Sequence, residues 1–356
     1  MAFNLNENSI GLDISDRSLR LVRLARRGKK VHMIFFDDVA IPLGVIENGD
    51  IKNEKKLIEL TSKLAKKAKV KKNSVQKVIS VLPETKTFIT VIDIPTAKTN
   101  EKGKKEKDVL SELVEQEIVN HIPLNLDEIY IDWQVLKRTP GATKLLIGAV
   151  PKEISNIYYS VLEKSGLKPH VLEIEAAPII RSLLVEGDEK AKMIIDFGAM
   201  RTGLIIYNQK TVNFTVSLPI SGQRITEAIA STLKMDMAKA EEAKIVCGLD
   251  KKKCEGALLK ILMDPINKMA SHIKRAQSFY QTKFPKGDKI SEIILCGGGA
   301  NFINIDNVLK EKVGLPVIVG DPFINIADRK KTKMSKKKAL SYTSAIGLAL
   351  NSFTKK

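Results

Sequence analysis

Two aspartates stand at the ends of apolar runs. Asp13 lies in Ser9-Ile10-Gly11-Leu12-Asp13-Ile14-Ser15-Asp16-Arg17-Ser18, and Asp196 in Met193-Ile194-Ile195-Asp196-Phe197-Gly198-Ala199-Met200-Arg201-Thr202. A third apolar run, Glu292 to Cys296, leads into Gly297-Gly298-Gly299-Ala300. Hydroxyls and backbone N–H groups in the turns that follow suit phosphate, and glycines let the backbone come close to a ligand because no Cβ intervenes. Each feature also has a plainer use, the aspartates as turn caps and the glycines as a tight turn. Their occurrence together, in this order, favours the phosphate reading.

The elements that must position these residues repeat. Asp13 is followed by the apolar-rich run Leu19 to Leu24, and Asp196 by Gly203 to Tyr207, so each heads a strand, turn, strand unit. Two such units predict an internally duplicated α/β architecture, each opening one half. Between them the pattern gives a strand at Lys86 to Ile94, a helix at Lys107 to His121 and a break at Ile122-Pro123. A hairpin follows, with Ile129, Ile131, Trp133 and Val135 alternating in one strand and Lys144 to Val150 forming the other. A helix from Lys152 to Ser165, closed by Gly166, completes a β-α-β-β-α subdomain over about 86–166. Beyond the second unit the sequence predicts a strand to Leu218, helices at Ile225–Leu233, Ala238–Val246 and Leu258–Thr282, the strand at Glu292–Cys296, and a helix from Ile305 to Lys312.

The 356 residues, 44% of them apolar, suffice for two or three domains. The net charge of +18 is spread over three tracts. Lys52 to Lys72 reads as an amphipathic helix with Leu57, Leu60 and Leu64 on one face, while Lys102 to Lys107 and Arg329 to Lys338 read as loop clusters. Aromatic residues make up 5% and do not interleave with these tracts, which argues against a base-stacking surface and a specific nucleic-acid partner. An anionic membrane surface stays open as a partner for the lysines. Cys247, Cys254 and Cys296 lack metal-ligand spacing and form no disulfide framework, which points to a reducing compartment. Met1 to Ser9 lacks the character of a secretion signal, and no run reaches the roughly 18 apolar residues of a membrane span, so a cytoplasmic location is expected.

The order of the motifs resembles that of the actin, hexokinase and heat-shock-chaperone superfamily. Asp13 to Ser18 looks like the first phosphate loop, Asp196 to Thr202 like the second and Leu295 to Ala300 like the adenosine loop. Glu173-Ile174-Glu175-Ala176-Ala177-Pro178 looks like the first connecting helix, and Ser344-Ala345-Ile346-Gly347-Leu348-Ala349 like the second. Ala240-Glu241-Glu242-Ala243-Lys244 resembles the segment whose Glu and Lys reach ribose and base. The resemblance implies an actin-like ATPase fold of two ribonuclease-H-like lobes with Mg-ATP between them. Asp13 and Asp196 would hold Mg²⁺ through water, and Glu175 would position an attacking water. Ser15, Arg17, Ser18, Gly198, Ala199, Thr202, Glu241, Lys244, Gly297, Gly298, Gly299 and Ala300 would contact the nucleotide.

A sharper resemblance is to the PilM family of type IV pilus assembly and its division relative FtsA. It rests on Leu113 to Glu117 leading into His121-Ile122-Pro123 and Asp127-Glu128, on Gly148 to Glu153, on Lys164 to Pro169 and on Gly347 to Leu350. The subdomain at 86–166 sits where these two families carry theirs, and the chain stops at Ser352 to Lys356 without the amphipathic membrane helix that ends FtsA, which favours PilM. The resemblance implies a first lobe of 1–85 with 167–188 and 325–356, and a second lobe of 189–324 that includes a helical part at about 223–268. It also implies a scaffold peripheral to the inner face of the cytoplasmic membrane. The subdomain would take the cytoplasmic N-terminal peptide of a PilN-like membrane protein, with other pilus components and self-association as further contacts. A small-molecule kinase of the same superfamily and a pseudo-ATPase scaffold are the alternatives.

The first loop departs from the family pattern. Ser15 replaces an expected glycine, and Asp16 brings a carboxylate to the phosphate side. A like charge about 4 Å from phosphate costs roughly 1 kcal/mol in bulk water and about 4 at an effective dielectric of 20. Either Arg17 offsets that charge or Asp16 turns away to cap the turn.

Overall fold

The structure is a computed structural model that describes residues 8–68, 76–95, 106–121, 125–285, 287–327, 329 and 332–353. The chain opens with three antiparallel strands, β1 (Asn8–Ile14), β2 (Ser18–Arg27) and β3 (Lys30–Ala40), then a short hairpin, β4 (Ile46–Glu47) and β5 (Asp50–Ile51). The helix α1 (Glu54–Ala68) follows, burying Leu57, Leu60 and Leu64 as their spacing requires, and leads to β6 (Gln76–Leu82). The rest of the expected helix to Lys72, the Lys102–Lys107 cluster up to 105, the Ile122-Pro123 break, the first seven residues and the last three lie outside the described residues.

Next come β7 (Phe88–Pro95), α2 (Glu106–Ile118), β8 (Ile129–Arg138), β9 (Ala142–Pro151) and α3 (Lys152–Lys164). The β-α-β-β-α order is the expected one. Three of its strands form a separate sheet in the order β7-β9-β8, with Leu110, Val114 and Ile118 of α2 packed on it. The last helix is placed differently from the 86–166 unit read in the sequence. Tyr158, Val161 and Leu162 of α3 are buried with Leu57, Leu60 and Leu64 of α1, so α3 packs in the core of the first half and the inserted sheet ends at Pro151.

The strand β10 (Leu167–Ile174) and helix α4 (Ala176–Leu183) complete the first half. Here the expected connecting helix begins later than its motif, because Glu173 and Ile174 are still paired to β6 and Glu175 is the residue before the first turn. The second half repeats the plan with β11 (Lys192–Phe197), β12 (Thr202–Asn208), β13 (Thr211–Leu218), α5 (Gly222–Leu233), α6 (Met237–Cys247), α7 (Leu259–Lys283), β14 (Glu292–Cys296), α8 (Ile305–Val313) and β15 (Val317–Val319). The sheets have the orders β3-β2-β1-β6-β10 and β13-β12-β11-β14-β15. In both, an antiparallel meander pairs its first strand in parallel with a later strand, which pairs in parallel with a further one in turn. This is the duplication that the two Asp-headed units foretell.

Two short helices, α9 (Lys336–Leu340) and α10 (Thr343–Leu350), end the chain. Lys336, Lys337 and Lys338 therefore form a helical turn, where the sequence reading has a loop; Ser335 caps it through the Lys338 N–H. Helix α10 lies on β1 so closely that a Cβ on Gly11 would stand 2.4 Å from the Ala345 carbonyl oxygen. It also crosses α4, where a Cβ on Gly347 would fall 1.8 Å from the Pro178 oxygen. Arg181 fixes the crossing by donating to Gly347 O and to both oxygens of Glu173, each at 2.8 Å.

Cys247 is disulfide-bonded to Cys254, with Cα atoms 5.6 Å apart, which corrects the reading of three unpaired thiols. The chain reverses at Gly248, at φ 54°, so that two cysteines seven residues apart meet. Cysteine usage consequently gives no argument for a reducing compartment. Among the described residues no helix is long and apolar enough to cross a membrane.

Candidate functional site

The C-terminal ends of β1, β11 and β14 open on one cleft of about 580 Å³. Asp13 is the penultimate residue of β1 and Asp196 of β11, so the duplicated topology sets the two carboxylates at equivalent places. Both line the cleft. Asp13 is 3% exposed; its Oδ2 accepts from Arg20 at 3.4 Å, while its Oδ1 is buried without a partner. Burial pushes Asp13 up to about 6 against the pull of Arg20, with Glu175 adding to the rise. Asp196 is pushed up to about 7, by burial first and then by Glu175. Acids that resist ionisation, one with an unpartnered oxygen, form a donor set that suits a hydrated divalent cation.

The first loop resolves the question of Asp16. Its carboxylate accepts the N–H groups of Asn48 at 3.1 Å and Gly49 at 3.0 Å, so it caps the β4–β5 turn while still edging the cleft. Ser15 turns inward on its own loop, with its N–H and hydroxyl both donating to Ser18 O. Its hydroxyl also shares a hydrogen bond with Ser18 Oγ, and Ser18 does not line the cleft. Arg17 does line it, with a buried Nη1 that has no partner.

In the second loop, Gly198 and Ala199 line the cleft and are tied to the start of α5, where Gly222 N donates to Gly198 O and Gln223 N to Ala199 O. Thr202 stands apart from its expected role. It is fully buried and its hydroxyl donates to Ile220 O at 2.7 Å, which holds the β13–α5 connection. The three glycines divide their work. A Cβ on Gly297 would meet Asp196 Oδ1 at 2.3 Å and one on Gly299 the Phe197 ring at 2.3 Å, so both allow β14 to press against the Asp196 turn. Gly298 faces open space, and Ala300 is buried behind the lining. From α6, Glu241 and Lys244 reach the cleft as a pair at 2.5 Å, with Lys244 also donating to Thr226 Oγ1 and Gly222 O.

Glu175, at the head of α4, lines the cleft bound to Arg201, whose Nε lies 3.8 Å from Glu84. Burial opposes the charge on Arg201, but Glu175, Glu84 and Asp196 raise its pKa and keep it protonated. Burial also pushes Glu84 up to about 7, reinforced by Glu175. The sequence reading missed Arg20, Arg201, Phe302, Lys337 and Lys338 as lining residues. Arg20 was legible, since a two-strand hairpin with a short turn pairs it directly with Asp13. Lys337 and Lys338 were hidden in the tract read as a loop.

The family model for the type IV pilus assembly protein PilM matches residues 11–353. Among solved structures, the chain superposes on a PilM-PilN type IV pilus biogenesis complex with a TM-score of 0.81 at 20% identity, covering 98% of this chain and 99% of that one. MreB5 of Spiroplasma citri bound to ADP gives a TM-score of 0.57 at 12% identity over 98% of this chain and 99% of that one. The cell shape-determining protein MreB of Escherichia coli (strain K12) is 23% identical over 211 residues, 51% of this chain and 61% of that protein. The chain thus spans about three fifths of the length of the curated relatives it matches. The fold is that of actin-like ATPases, and with a family model that spans nearly its whole length the chain belongs to the type IV pilus assembly protein PilM family.

Proposed function

We propose that this chain is a nucleotide-binding scaffold of type IV pilus assembly, holding Mg-ATP in the cleft and a PilN-like membrane partner on its inserted sheet. The observation that carries the reading is the convergence of Asp13 and Asp196, from equivalent strands of two like sheets, on one cleft with an unpartnered buried Asp13 oxygen. Both carboxylates would hold Mg²⁺ through water, and the ion would neutralise phosphate charge there. Arg17 and the loop Gly198-Ala199 would face the phosphates, Gly298 the nucleoside side, and Glu241 with Lys244 the ribose. Ser15, Ser18, Thr202, Gly297, Gly299 and Ala300 would shape these walls through the bonds and close approaches described above. Calorimetric titration of Mg-ATP into the wild type and Asp196→Ala tests the cleft; equal heats would refute it.

The partner half draws on the family and on the PilM-PilN complex that the fold matches. A short extended peptide would dock by apolar anchors between the first half and the β7-β9-β8 sheet, placing the chain against the inner face of the cytoplasmic membrane. A synthetic peptide of the partner's cytoplasmic segment should raise the melting temperature, and no shift at saturation would reject it. A second reading is favoured by one contact. Glu175 is engaged by Arg201, which withdraws the carboxylate that would orient water and favours binding with slow turnover or none.

A further inference from the structure

Arg201 sits in the loop between β11 and β12, yet its guanidinium meets two carboxylates from the other side of the cleft. One is Glu175, directly before α4; the other is Glu84, 9% exposed, in the turn at 84–86 that leads from β6 into β7 of the inserted sheet. That turn is anchored on its far side. Thr85 Oγ1 donates to Asn48 O at 2.9 Å, Lys86 pairs with Asp50 at 2.8 Å, and Asp16 caps the same Asn48-Gly49 turn. Of the other cations that line the cleft, Lys244 is held by Glu241, Lys338 by Asp38 and Arg20 by Asp13, while Arg17 keeps an unpartnered Nη1. Arg201 is shared between two carboxylates on the side of the cleft opposite its own loop, Glu175 and Glu84.

We propose that Arg201 is a latch that reads the terminal phosphate of a nucleoside triphosphate. In the nucleotide-free chain it is held by Glu175 and Glu84. A terminal phosphate offers the planar guanidinium a more highly charged, bidentate partner than a carboxylate does. Competition for Arg201 then releases Glu175 toward the cleft and removes one of the ties that hold Glu84, at the root of the inserted sheet, to the second half. A diphosphate lacks the competing group and leaves the latch closed. Arg201 is thus a positioning residue, and the route ties occupancy of the cleft to the sheet that carries the partner. The inference rests on the nucleotide reading above and extends it to this residue.

The test compares the dissociation constants of Mg-ATP and Mg-ADP for the wild type, Arg201→Ala, Arg201→Lys and Glu175→Gln. Arg201→Ala should weaken ATP about tenfold while changing ADP less than about threefold, since one charge-assisted contact is lost. Arg201→Lys should fall between it and the wild type. Glu175→Gln, close in shape and so expected to fold, removes the competitor and should tighten ATP several-fold. The opposite signs distinguish a latch from a structural ion pair. An unchanged ATP-to-ADP ratio in Arg201→Ala, or equal weakening of ATP by Arg201→Ala and Glu175→Gln, overturns the latch alone. A wild type that binds neither nucleotide overturns the nucleotide reading and the latch with it.

Discussion

Asp13 carries a proton up to about pH 6 in the folded chain, against an ordinary value of 3.8, because burial disfavours its charge more than Arg20 favours it. The folded state therefore holds a proton that the unfolded state has released across that window. Stability from this group is present below pH 3.8 and declines as pH rises through 6, by about 3 kcal/mol in all. Asp196 and Glu84, also raised by burial, act in the same direction. In urea denaturation of the nucleotide-free protein, Asp13→Asn should lose less stability between pH 4 and pH 7 than the wild type, by that order. Identical slopes would mean that Asp13 ionises freely. The departures of the first loop are local matters too: Asp16 is a turn cap and Ser15 a loop brace, and both roles depend on hydrogen-bond partners that residue type alone does not name.

At the scale of elements, α4 and α10 cross between the two sheets, α4 packed with Ile194 and Ile205 of the second and α10 on β1 of the first. Gly347→Ala would drive a methyl group into the Pro178 backbone, where neither helix has a side chain that can give way. Overpacking of this kind costs typically 1–3 kcal/mol, and a backbone collision belongs at about 3 or above; the variant should show that loss in denaturant midpoint or fail to fold. The Cys247–Cys254 bond closes a small loop at the end of the helix that carries Glu241 and Lys244. Cys254→Ser should cost about 2 kcal/mol by the chain-entropy relation for a short loop. Thermal unfolding with and without reductant checks it, since reductant should lower the wild type to the level of the variant and leave the variant unmoved.

At the scale of the whole molecule, the cleft is built jointly by both halves, so a ligand that fills it couples them. A ligand at a hundred times its dissociation constant stabilises the folded state by about 2.7 kcal/mol. Mg-ATP at that excess should raise the melting temperature of the wild type and leave Asp196→Ala unmoved; a shift of equal size in both would place binding elsewhere. The inserted sheet touches both halves as well, since Ile89 of β7 packs with Ile194 and Ile205 of the second sheet while Val150 of β9 is buried in the first core. Movement between the halves is therefore felt at the proposed partner site.

The repeated Asp-headed hairpins, the glycine strand end and the helical periodicities are local patterns, and they sufficed for the two-sheet plan, the order of elements and the strand ends at Asp13, Asp196 and Gly297 that open on the cleft. Local pattern works there because strand pairing and amphipathic packing follow side-chain period and turn chemistry. It could not say that Thr202 would turn its hydroxyl inward to Ile220, that Gly297 and Gly299 serve close packing, or that α3 would leave the inserted sheet for the core beside α1. Nor could it bring Arg201 to Glu175 and Glu84, or Cys247 to Cys254. The contacts of Arg201 join residues 26 and 117 positions apart, across a cleft that exists only once both halves have folded against each other. Which donor meets which acceptor there is decided by tertiary packing and the desolvation it imposes.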